Sequence, residues 1–238
     1  MKTLNKKLAF FTNIVLLLTV IIVYGVSFIP EPTLPIYSGE RLQAIYHGNT
    51  DNANVSLMFN VYENTQIVNE IIDVLNEKGV KATFFVGGCW ADDNELTLNR
   101  IISDGHELAN HGYFHKDHAK LNRLENQKEI ERCGVIVKSL CGVHMNLFAP
   151  PSGSFSQTTL SVAEELNYKV IMWSKDTIDW RDKDEALVFK RATQNLTNGD
   201  LVLMHPKQHT KNALSKIIDY YLQSGFNVVT VSDNLLLT

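Results

Sequence analysis

The sequence lacks an excess of charge of either sign. Its 238 residues carry a formal net charge of -4, and the lysines and arginines form no basic stripe. Proteins that bind nucleic acid gather positive charge on one face or helix, so nucleic acid is not an expected partner. With 45% hydrophobic and 20% charged residues, the chain is typical of a globular protein, and its length allows one domain with a short appendage.

Cysteine is scarce as well. Cys89, Cys133 and Cys141 form no CxxC pair, so a zinc site built from thiolates is not predicted. An odd number of cysteines excludes a fully paired set within the chain, and we interpret all three as small apolar fillers of the core. A glycine-rich phosphate loop is missing after the first predicted strand, which argues against nucleotide binding.

A long uncharged run lies near the N terminus. Lys2, Lys6 and Lys7 precede residues 8–29, a stretch of 22 residues without a charge. A helix of that length crosses the core of a bilayer, and the run ends without a clean signal-peptide cleavage site. We interpret 1–7 as a basic cytoplasmic N terminus and 8–29 as a single-pass signal anchor in the cytoplasmic membrane, with the rest of the chain outside. Cleavage, which would give a secreted form, is the alternative.

The remainder alternates between strand and helix patterns. Closely spaced prolines make 30–40 an extended linker, and the folded domain is predicted over 41–238. Apolar runs predict strands at 55–59, 80–86, 107–110, 144–148, 169–173, 201–204 and 226–231. Periodic segments between them predict helices at 65–78, 94–104, 121–140, 157–166, 184–196 and 212–223. This alternation predicts an α/β fold with about seven parallel strands in a (β/α) barrel, with a doubly wound open sheet as the alternative.

Polar residues follow several of the predicted strands, where the working residues of such folds lie. They lie in the segment 60–63, at His111 and His115, in the segment 149–153, at Asp176, Asp179 and Trp180, and finally at His205. The spacing of His111 and His115 places two imidazoles on one side of a helical turn and suits a shared divalent metal. Each feature alone is more often a surface or core residue, and their placement at one predicted rim is what favours a site.

Five stretches, in order, resemble motifs of the polysaccharide deacetylase family, also called carbohydrate esterase family 4 or the NodB-type domain. They are VKATFFVGG (80–88), DGHELANHGYFH (104–115), FAPPSG (148–153), KVIMWSKDTIDW (169–180) and GDLVLMH (199–205). The resemblance extends from about residue 54 to 231. It implies a distorted (β/α) barrel and the removal of acetyl groups from sugars of peptidoglycan, chitin or related glycans, or from acetylated xylan.

The resemblance also implies a role for each matching residue. His111 and His115 match two ligands of a divalent metal, zinc above all, and His205 matches the general acid, with Asp179 or Asp176 as its partner. Pro150, Pro151 and Gly153 match the wall of the substrate groove. An acetylated glycan, peptidoglycan or chitin-like, is the implied partner, and Trp180 is predicted to stack on its sugars. The pattern makes no prediction of oligomeric state.

The first motif departs from the family pattern. The family has an aspartate pair here, the base and then a metal ligand, where this chain has Asn60 and Val61. Ala149 stands where the family has an arginine that orients the base. An amide does not accept a proton at neutral pH, and valine binds no metal. Two histidines fall short of the three protein ligands typical of catalytic zinc, so the metal is expected to be weakly held or absent.

Two hypotheses follow from this uneven match. The first is an active, metal-dependent deacetylase, with Glu63 as a replacement base and His118 as a third imidazole, although an exposed loop position is the expectation for both residues. The second is a catalytically impaired pseudoenzyme that keeps the groove and binds cell-envelope glycan or a partner protein. Asn60, Val61 and Ala149 favour the second hypothesis, and His111, His115, Asp179 and His205 favour the first.

Overall fold

The structure is a computed structural model that describes residues 11–19 and 42–237. The chain divides into two compact units, Met1–Arg41 and Leu42–Thr238. In the first unit, residues 11–19 are helical. Most of the predicted anchor (8–29) and all of the predicted linker (30–40) lie outside the described residues. Within the described ranges, no helix combines the length and the apolar character needed to cross a membrane.

The second unit is built on a sheet whose strand pairs are all parallel. Its strands are β1 (Asn54–Val61), β2 (Thr83–Val86), β3 (Glu107–Asn110), β4 (Leu147–Phe148), β5 (Lys169–Val170), β6 (Lys175–Asp176), β7 (Leu201–Met204) and β8 (Asn227–Val228). Its α-helices are α1 (Thr65–Glu77), α2 (Gly88–Asp92), α3 (Glu95–Ser103), α4 (Arg123–Cys141), α5 (Gln157–Glu165), α6 (Glu185–Thr193), α7 (Gln208–Gln223) and α8 (Val231–Asn234). Short 3-10 turns lie at His118–Lys120 and Pro151–Gly153.

The sheet curls toward closure. Seven strands follow the order β5-β4-β3-β2-β1-β7-β6, and β8 pairs with the start of β1. The two end strands, β5 and β6, are separated in the chain by residues 171–174 alone. Because so few residues span at most about 18 Å, the two edges of the sheet must approach each other. The predicted α/β fold with about seven parallel strands is therefore correct, as a curled half-barrel.

The boundaries correct the prediction in several places. The strand predicted at 169–173 ends at Val170, and β6 after it was not predicted. Hydrogen bonds with β7 define β6, a long-range pairing that leaves no local pattern in two residues. The first strand continues through Asn60 to Val61, past its predicted end at residue 59. The strand expected over 226–231 shortens to β8, because residues from Val231 onward form α8.

The helices pack on the outer face of the sheet because their apolar residues recur at helical spacing. In α1, Val68, Ile71, Ile72 and Leu75 are buried. The longest helix, α4, starts at a capping box between Asn122 and Glu125. A second, smaller cluster fills the other face of the sheet, with Met58, Phe85 and Ala109 from three neighbouring strands. This division makes the two faces of β1 distinct, and it decides which of its residues reach the site.

Candidate functional site

A cavity of about 290 Å³ opens beyond the carboxyl ends of the strands. The residues around it come from five separate stretches of the chain: Asn60, Tyr62, His111, His115, Ser152, Trp173, Asp176, Trp180, Leu203 and His205. Most of the polar residues that the sequence places after predicted strands therefore meet around one cavity. This is the location expected for the working residues of a parallel α/β fold.

The end of β1 places two lining residues through its alternation, Asn60 within the strand and Tyr62 directly after it. Asn60 and Tyr62 line the cavity, whereas Phe59 and Val61 belong to the main core on the other face. Asn60 is only 2% exposed. Its Oδ1 is buried and has no hydrogen-bond partner among the described residues.

The two histidines after β3 lie side by side, with ring centroids 5.1 Å apart. They sit in an irregular loop rather than on the helical turn that their spacing predicts. His115 has a positive φ of 56°, and its ring packs on Tyr62 at 4.1 Å. The Nδ1 of His111 is 2.7 Å from the carbonyl oxygen of Ala149. A donated Nδ1–H there leaves Nε2 unprotonated and toward the cavity.

Burial dominates the electrostatics of this pair. It lowers the pKa of His111 well below the usual histidine value, and the neighbouring His115 lowers it further. Burial also lowers the pKa of His115. Both rings are therefore neutral at neutral pH, the form in which imidazole binds a metal.

A buried glutamate fixes the loop that carries these histidines. Glu129 of α4 is 3% exposed and accepts hydrogen bonds from the backbone N–H of Tyr113 at 3.1 Å and of Phe114 at 2.8 Å. Lys116 lies 3.3 Å from the same carboxylate. Asn110, at the end of β3, accepts a hydrogen bond from the backbone N–H of Gly112 at 2.8 Å. Because the backbone is held at these points, the positions of the two imidazoles are set by groups outside the cavity.

His205 and Asp179 form a fully satisfied pair. The Nδ1 of His205 is 2.7 Å from Oδ1 of Asp179, and Oδ2 of Asp179 accepts hydrogen bonds from the His205 N–H at 2.7 Å and the Thr210 hydroxyl at 2.6 Å. Burial alone raises the pKa of Asp179, but these hydrogen bonds and the charge of His205 outweigh burial, so its pKa is lowered. An ionised Asp179 holds Nδ1–H toward itself and leaves Nε2 of His205 for the cavity.

Asp176 organises the turn between β6 and Asp179. Its Oδ1 accepts a hydrogen bond from the N–H of Ile178 at 2.7 Å, and Ile178 has a positive φ of 54°. A β-branched residue rarely adopts this conformation, so the surrounding contacts must impose it. The turn directs Asp179 toward His205 and Trp180 to the rim, where Trp180 is 54% exposed. Of the two aspartates proposed as partner of His205, the one in contact is therefore Asp179.

The segment after β4 contributes less to the cavity surface than predicted. Pro150 and Pro151 are buried, and the lining residue from this segment is Ser152. Gly153 has a positive φ of 65°, and a Cβ there would lie 2.8 Å from the ring of Trp173. Glycine is thus required where this segment meets Trp173, and the two prolines support the wall from behind.

The residues at the metal-ligand and arginine positions of the family are apolar, and the two suggested replacement residues contact other side chains. Val61 and Ala149 are fully buried and pack in the core. Glu63 pairs with Lys207 and does not line the cavity. His118 is buried, with Nδ1 2.8 Å from Oδ1 of Asn126, and it does not line the cavity either. Neither proposed replacement reaches the site in this conformation.

Comparison with known proteins decides the family. Residues 47–171 match the family model described as polysaccharide deacetylase, which is more than half of the chain. The chain belongs to the polysaccharide deacetylase family. The resemblance seen in the sequence motifs is confirmed.

Proteins similar to this chain include an uncharacterized protein, a deacetylase and a pseudoenzyme. The chain is 32% identical over 191 residues to an uncharacterized protein, YlxY, of Bacillus subtilis, covering 80% of this chain and 60% of that protein. It is 30% identical over 197 residues to a peptidoglycan-N-acetylglucosamine deacetylase of Bacillus cereus, covering 81% and 72%. Among solved structures it resembles wild-type BA3943 of Bacillus anthracis, a CE4 family pseudoenzyme. The TM-score is 0.79 at 29% identity, over 82% of this chain and 69% of that one.

Deacetylases of this family generally depend on a divalent metal, and the donors of this chain do not fit a complete site. His111 and His115 are two suitable ligands, but in the described part of the chain no group of three His, Cys, Asp or Glu residues is placed to hold an ion. The third position of the family pattern is Val61, whose side chain packs in the core. Catalytic zinc sites typically use three protein ligands.

Four lining residues were given no role from the sequence, although two of them, Tyr62 and Ser152, lie in segments that it placed at the rim. Tyr62 and Leu203 lie two positions from Asn60 and His205, so the period-two alternation of a strand was a usable signal for both. Trp173 was expected inside a strand, and Ser152 lies in a motif from which its neighbours were chosen instead. No local pattern distinguishes these last two residues.

Proposed function

We propose that this chain binds an acetylated cell-envelope glycan, peptidoglycan or a chitin-like polymer, in the cavity around Asn60, and that its hydrolysis of acetyl groups is strongly impaired. The observation that carries this proposal is the position of Asn60. It lines the cavity where the family has its base, and a primary amide does not take a proton from water at neutral pH. General acid–base groups contribute about 10²- to 10⁴-fold to rates of this kind.

The groove itself is supported by the residues that remain. Tyr62, directly after β1, packs on His115 of the histidine loop. Trp173 reaches the cavity from the segment after β5, and Trp180 from the segment after β6. Aromatic rings stack on the apolar faces of sugars and contribute binding energy without chemistry. His205, held by Asp179, would stand beside the acetyl group with its Nε2 free to give a proton to a departing nitrogen.

The second candidate is a competent metal-dependent deacetylase. The satisfied pair of His205 and Asp179, together with the two neutral histidines, favours it. Such an enzyme needs a base, and Glu63 reaches the cavity only if its ion pair with Lys207 opens. In either case we expect a divalent metal, zinc first, to be held weakly by two imidazoles.

A single assay separates the two candidates. The full chain, purified in mild detergent, is titrated with N-acetylated glucosamine oligomers, and acetate release is followed in parallel with added zinc. We expect saturable binding and acetate release close to that of buffer. Chelator-sensitive acetate release by the unaltered chain would establish the second candidate, and the absence of any glycan binding would overturn the first.

For location, the basic N terminus and the apolar run at 8–29 support anchoring in the cytoplasmic membrane, with the domain outside. Protease added to intact cells tests this proposal. We expect digestion of the domain and protection of residues 1–7. Protection of the whole chain would contradict it.

A further inference from the structure

A groove separate from the cavity runs between the histidine loop and α4. Tyr113 and Phe114 line it from the loop, and Lys128, Arg132 and Val135 line it from the helix. Phe114 is 51% exposed and Val135 is 62% exposed, so an aromatic ring and an aliphatic side chain both face solvent here. The groove and the cavity have no lining residue in common, so a molecule bound in the groove does not have to enter the cavity.

Two positive charges in this groove have no carboxylate partner. Lys128 and Arg132 are four residues apart on α4, so they project side by side, and neither forms an ion pair in the part of the chain that the structure describes. Lys116, by contrast, pairs with the buried Glu129. Glu131 also lines the groove, which leaves the lining with an excess of one positive charge. We call this surface the basic groove.

The turn between α2 and α3 has the opposite character. Asp92, Asp93 and Glu95 are exposed there, and none of them forms an ion pair with a residue in the described ranges. Leu96, next to them, is 88% exposed. One exposed leucine needs no explanation, but a leucine beside three unpaired carboxylates matches the basic groove with the charges reversed. We call residues 92–96 the acidic turn.

The acidic turn and the basic groove lie at different points along α4. Both α2 and α3 pack against this helix. Burial raises the pKa of the Cys141 thiol, and the nearby Glu95 carboxylate adds to this rise, so the acidic turn lies toward the C-terminal end of α4. Lys128 and Arg132 precede Cys141 by at least about two helical turns. The two surfaces are therefore displaced from each other along the helix axis.

This displacement suits two copies of the chain related by a twofold axis. An axis across α4 sets the two helices antiparallel, so the acidic turn of each copy meets the basic groove of the other, and the same contact occurs twice. We infer that the domain forms such a dimer, with the acidic turn of each copy bound in the basic groove of its partner. The carboxylates of the turn face Lys128 and Arg132. Leu96 packs against Phe114 and Val135.

A second copy accounts for both surfaces at once. An acidic peptide would fill the groove and leave the acidic turn unpaired. An anionic membrane surface would meet the carboxylates of the turn together with the groove, and these carboxylates would repel it. The inference does not depend on what the cavity binds, because the cavity is lined by other residues.

Sedimentation equilibrium of the full chain, in density-matched detergent, measures this association. Over an about 100-fold range of protein concentration we expect a shift from monomer to dimer. Added salt should move the equilibrium toward monomer, because it screens the charges at the edge of the contact. A chain that remains monomeric at every concentration overturns the inference.

Two charge-reversed variants test the surfaces themselves. Lys128→Glu/Arg132→Glu reverses the basic groove, and Asp92→Lys/Asp93→Lys reverses the acidic turn. Each variant alone places like charges against each other, so we expect its dimer to weaken by at least about 100-fold. Mixed in equal amounts, the two variants have opposite charges at both contacts and should form a mixed dimer. Leu96→Ala removes an apolar contact alone and should weaken the dimer of the otherwise unaltered chain by about 10-fold.

The matched control is Lys190→Glu/Lys216→Glu, which reverses two exposed lysines on α6 and α7 and should dimerise as the unaltered chain does. Dimers that persist in both charge-reversed variants, or an equal loss in the control, overturn the inference. So does a mixture that stays monomeric although each variant keeps its own melting transition. If either charge-reversed variant does not fold, Leu96→Ala decides, and an unchanged association overturns the inference.

Other occupants of the groove are tested on the same variants. The probes are a peptide with the sequence of residues 92–96 flanked by serines, and vesicles of anionic phospholipid. We expect the peptide to compete with dimer formation and the vesicles to bind the unaltered chain no better than the groove variant. Binding of either probe by a chain that stays monomeric, lost in Lys128→Glu/Arg132→Glu, would assign the groove to that kind of partner and overturn the dimer.

Discussion

The two sides of the cavity differ in what remains of the family pattern. On one side, His205 and Asp179 remain and contact each other, and both carboxylate oxygens of Asp179 accept hydrogen bonds. On the other, Asn60, Val61 and Ala149 are all neutral. A buried charge is tolerated when it is paired and is costly when its partner is removed. The base, the metal ligand and the arginine depend on one another in this way, so their joint absence is physically consistent.

The comparison also shows that the groove and the chemistry are separable. The neutral side retains its place on β1 and in the sheet, because Val61 and Ala149 pack well where polar residues would need partners. The charged side retains its geometry through contacts with Thr210 and the backbone of His205, none of which passes through Asn60. Loss of the base thus leaves the walls of the cavity and the histidine pair in position.

The largest effect is expected from Asn60→Asp. A carboxylate at this lining position restores a group able to take a proton from water, and it stands beside His111 and His115. We expect acetate release from N-acetylated oligomers, with added zinc, to rise about 10²-fold or more over the unaltered chain. Asn52→Asp serves as the control. If the two variants release acetate equally slowly, the missing base is not what limits this site.

Asp179→Asn tests the side of the cavity that retains the residues of the family pattern. Its amide cannot accept all of the hydrogen bonds from His205 and Thr210, so we expect the free energy of unfolding at pH 7 to fall by about 1–3 kcal/mol. Because the pKa of Asp179 is lowered in the folded state, its stabilising contribution is present above about pH 4 and is lost as the pH falls through that lowered value. The difference between the two proteins in chemical denaturation should therefore shrink in acid. A constant difference across the pH range would show that the ionised carboxylate is not stabilising, and exposed Asp51→Asn provides the reference.

A smaller effect is expected at the rim from Trp180→Ala. The indole is 54% exposed, so its removal should leave the melting temperature unchanged. We expect the affinity for glycan oligomers to weaken by about 0.5–1.5 kcal/mol, the usual contribution of an aromatic contact. Leu96→Ala, at a more exposed apolar side chain on α3, should leave the affinity for glycan oligomers unchanged. Equal losses in both variants would argue against a sugar platform at Trp180.

The sequence was most informative where local pattern and long-range structure agree. Buried strands such as β3 and β7 were predicted at their observed bounds, because short apolar runs between predicted helices usually form buried strands. Two-residue strands were the weakest point: β6 exists through its pairing with β7, and no pattern in Lys175 and Asp176 indicates it.

The candidate site was predicted through residues that differ chemically from their surroundings. His111, His115, Asp179 and His205 were identified in this way, and the structure brings them to one region. Tyr62 and Ser152 lie in segments placed at the rim but were given no role. Trp173 and Leu203 were missed, since their participation depends on which face of a strand or loop meets the cavity. No local pattern supported the roles suggested for Glu63 as base and His118 as metal ligand. Their contacts with Lys207 and Asn126 are tertiary contacts that the sequence does not reveal.

The most direct test of the central claim is acetate release by Asn60→Asp compared with the double variant Asn60→Asp/His205→Gln. If the acid side is intact and lacks only its base, the single variant should release acetate and the double variant should lose that gain by about 10²-fold or more. Parallel titration with the N-acetylated oligomer controls for binding by both proteins. If the double variant keeps the gain, His205 does not act as the acid, and the account of a site with one working side is wrong.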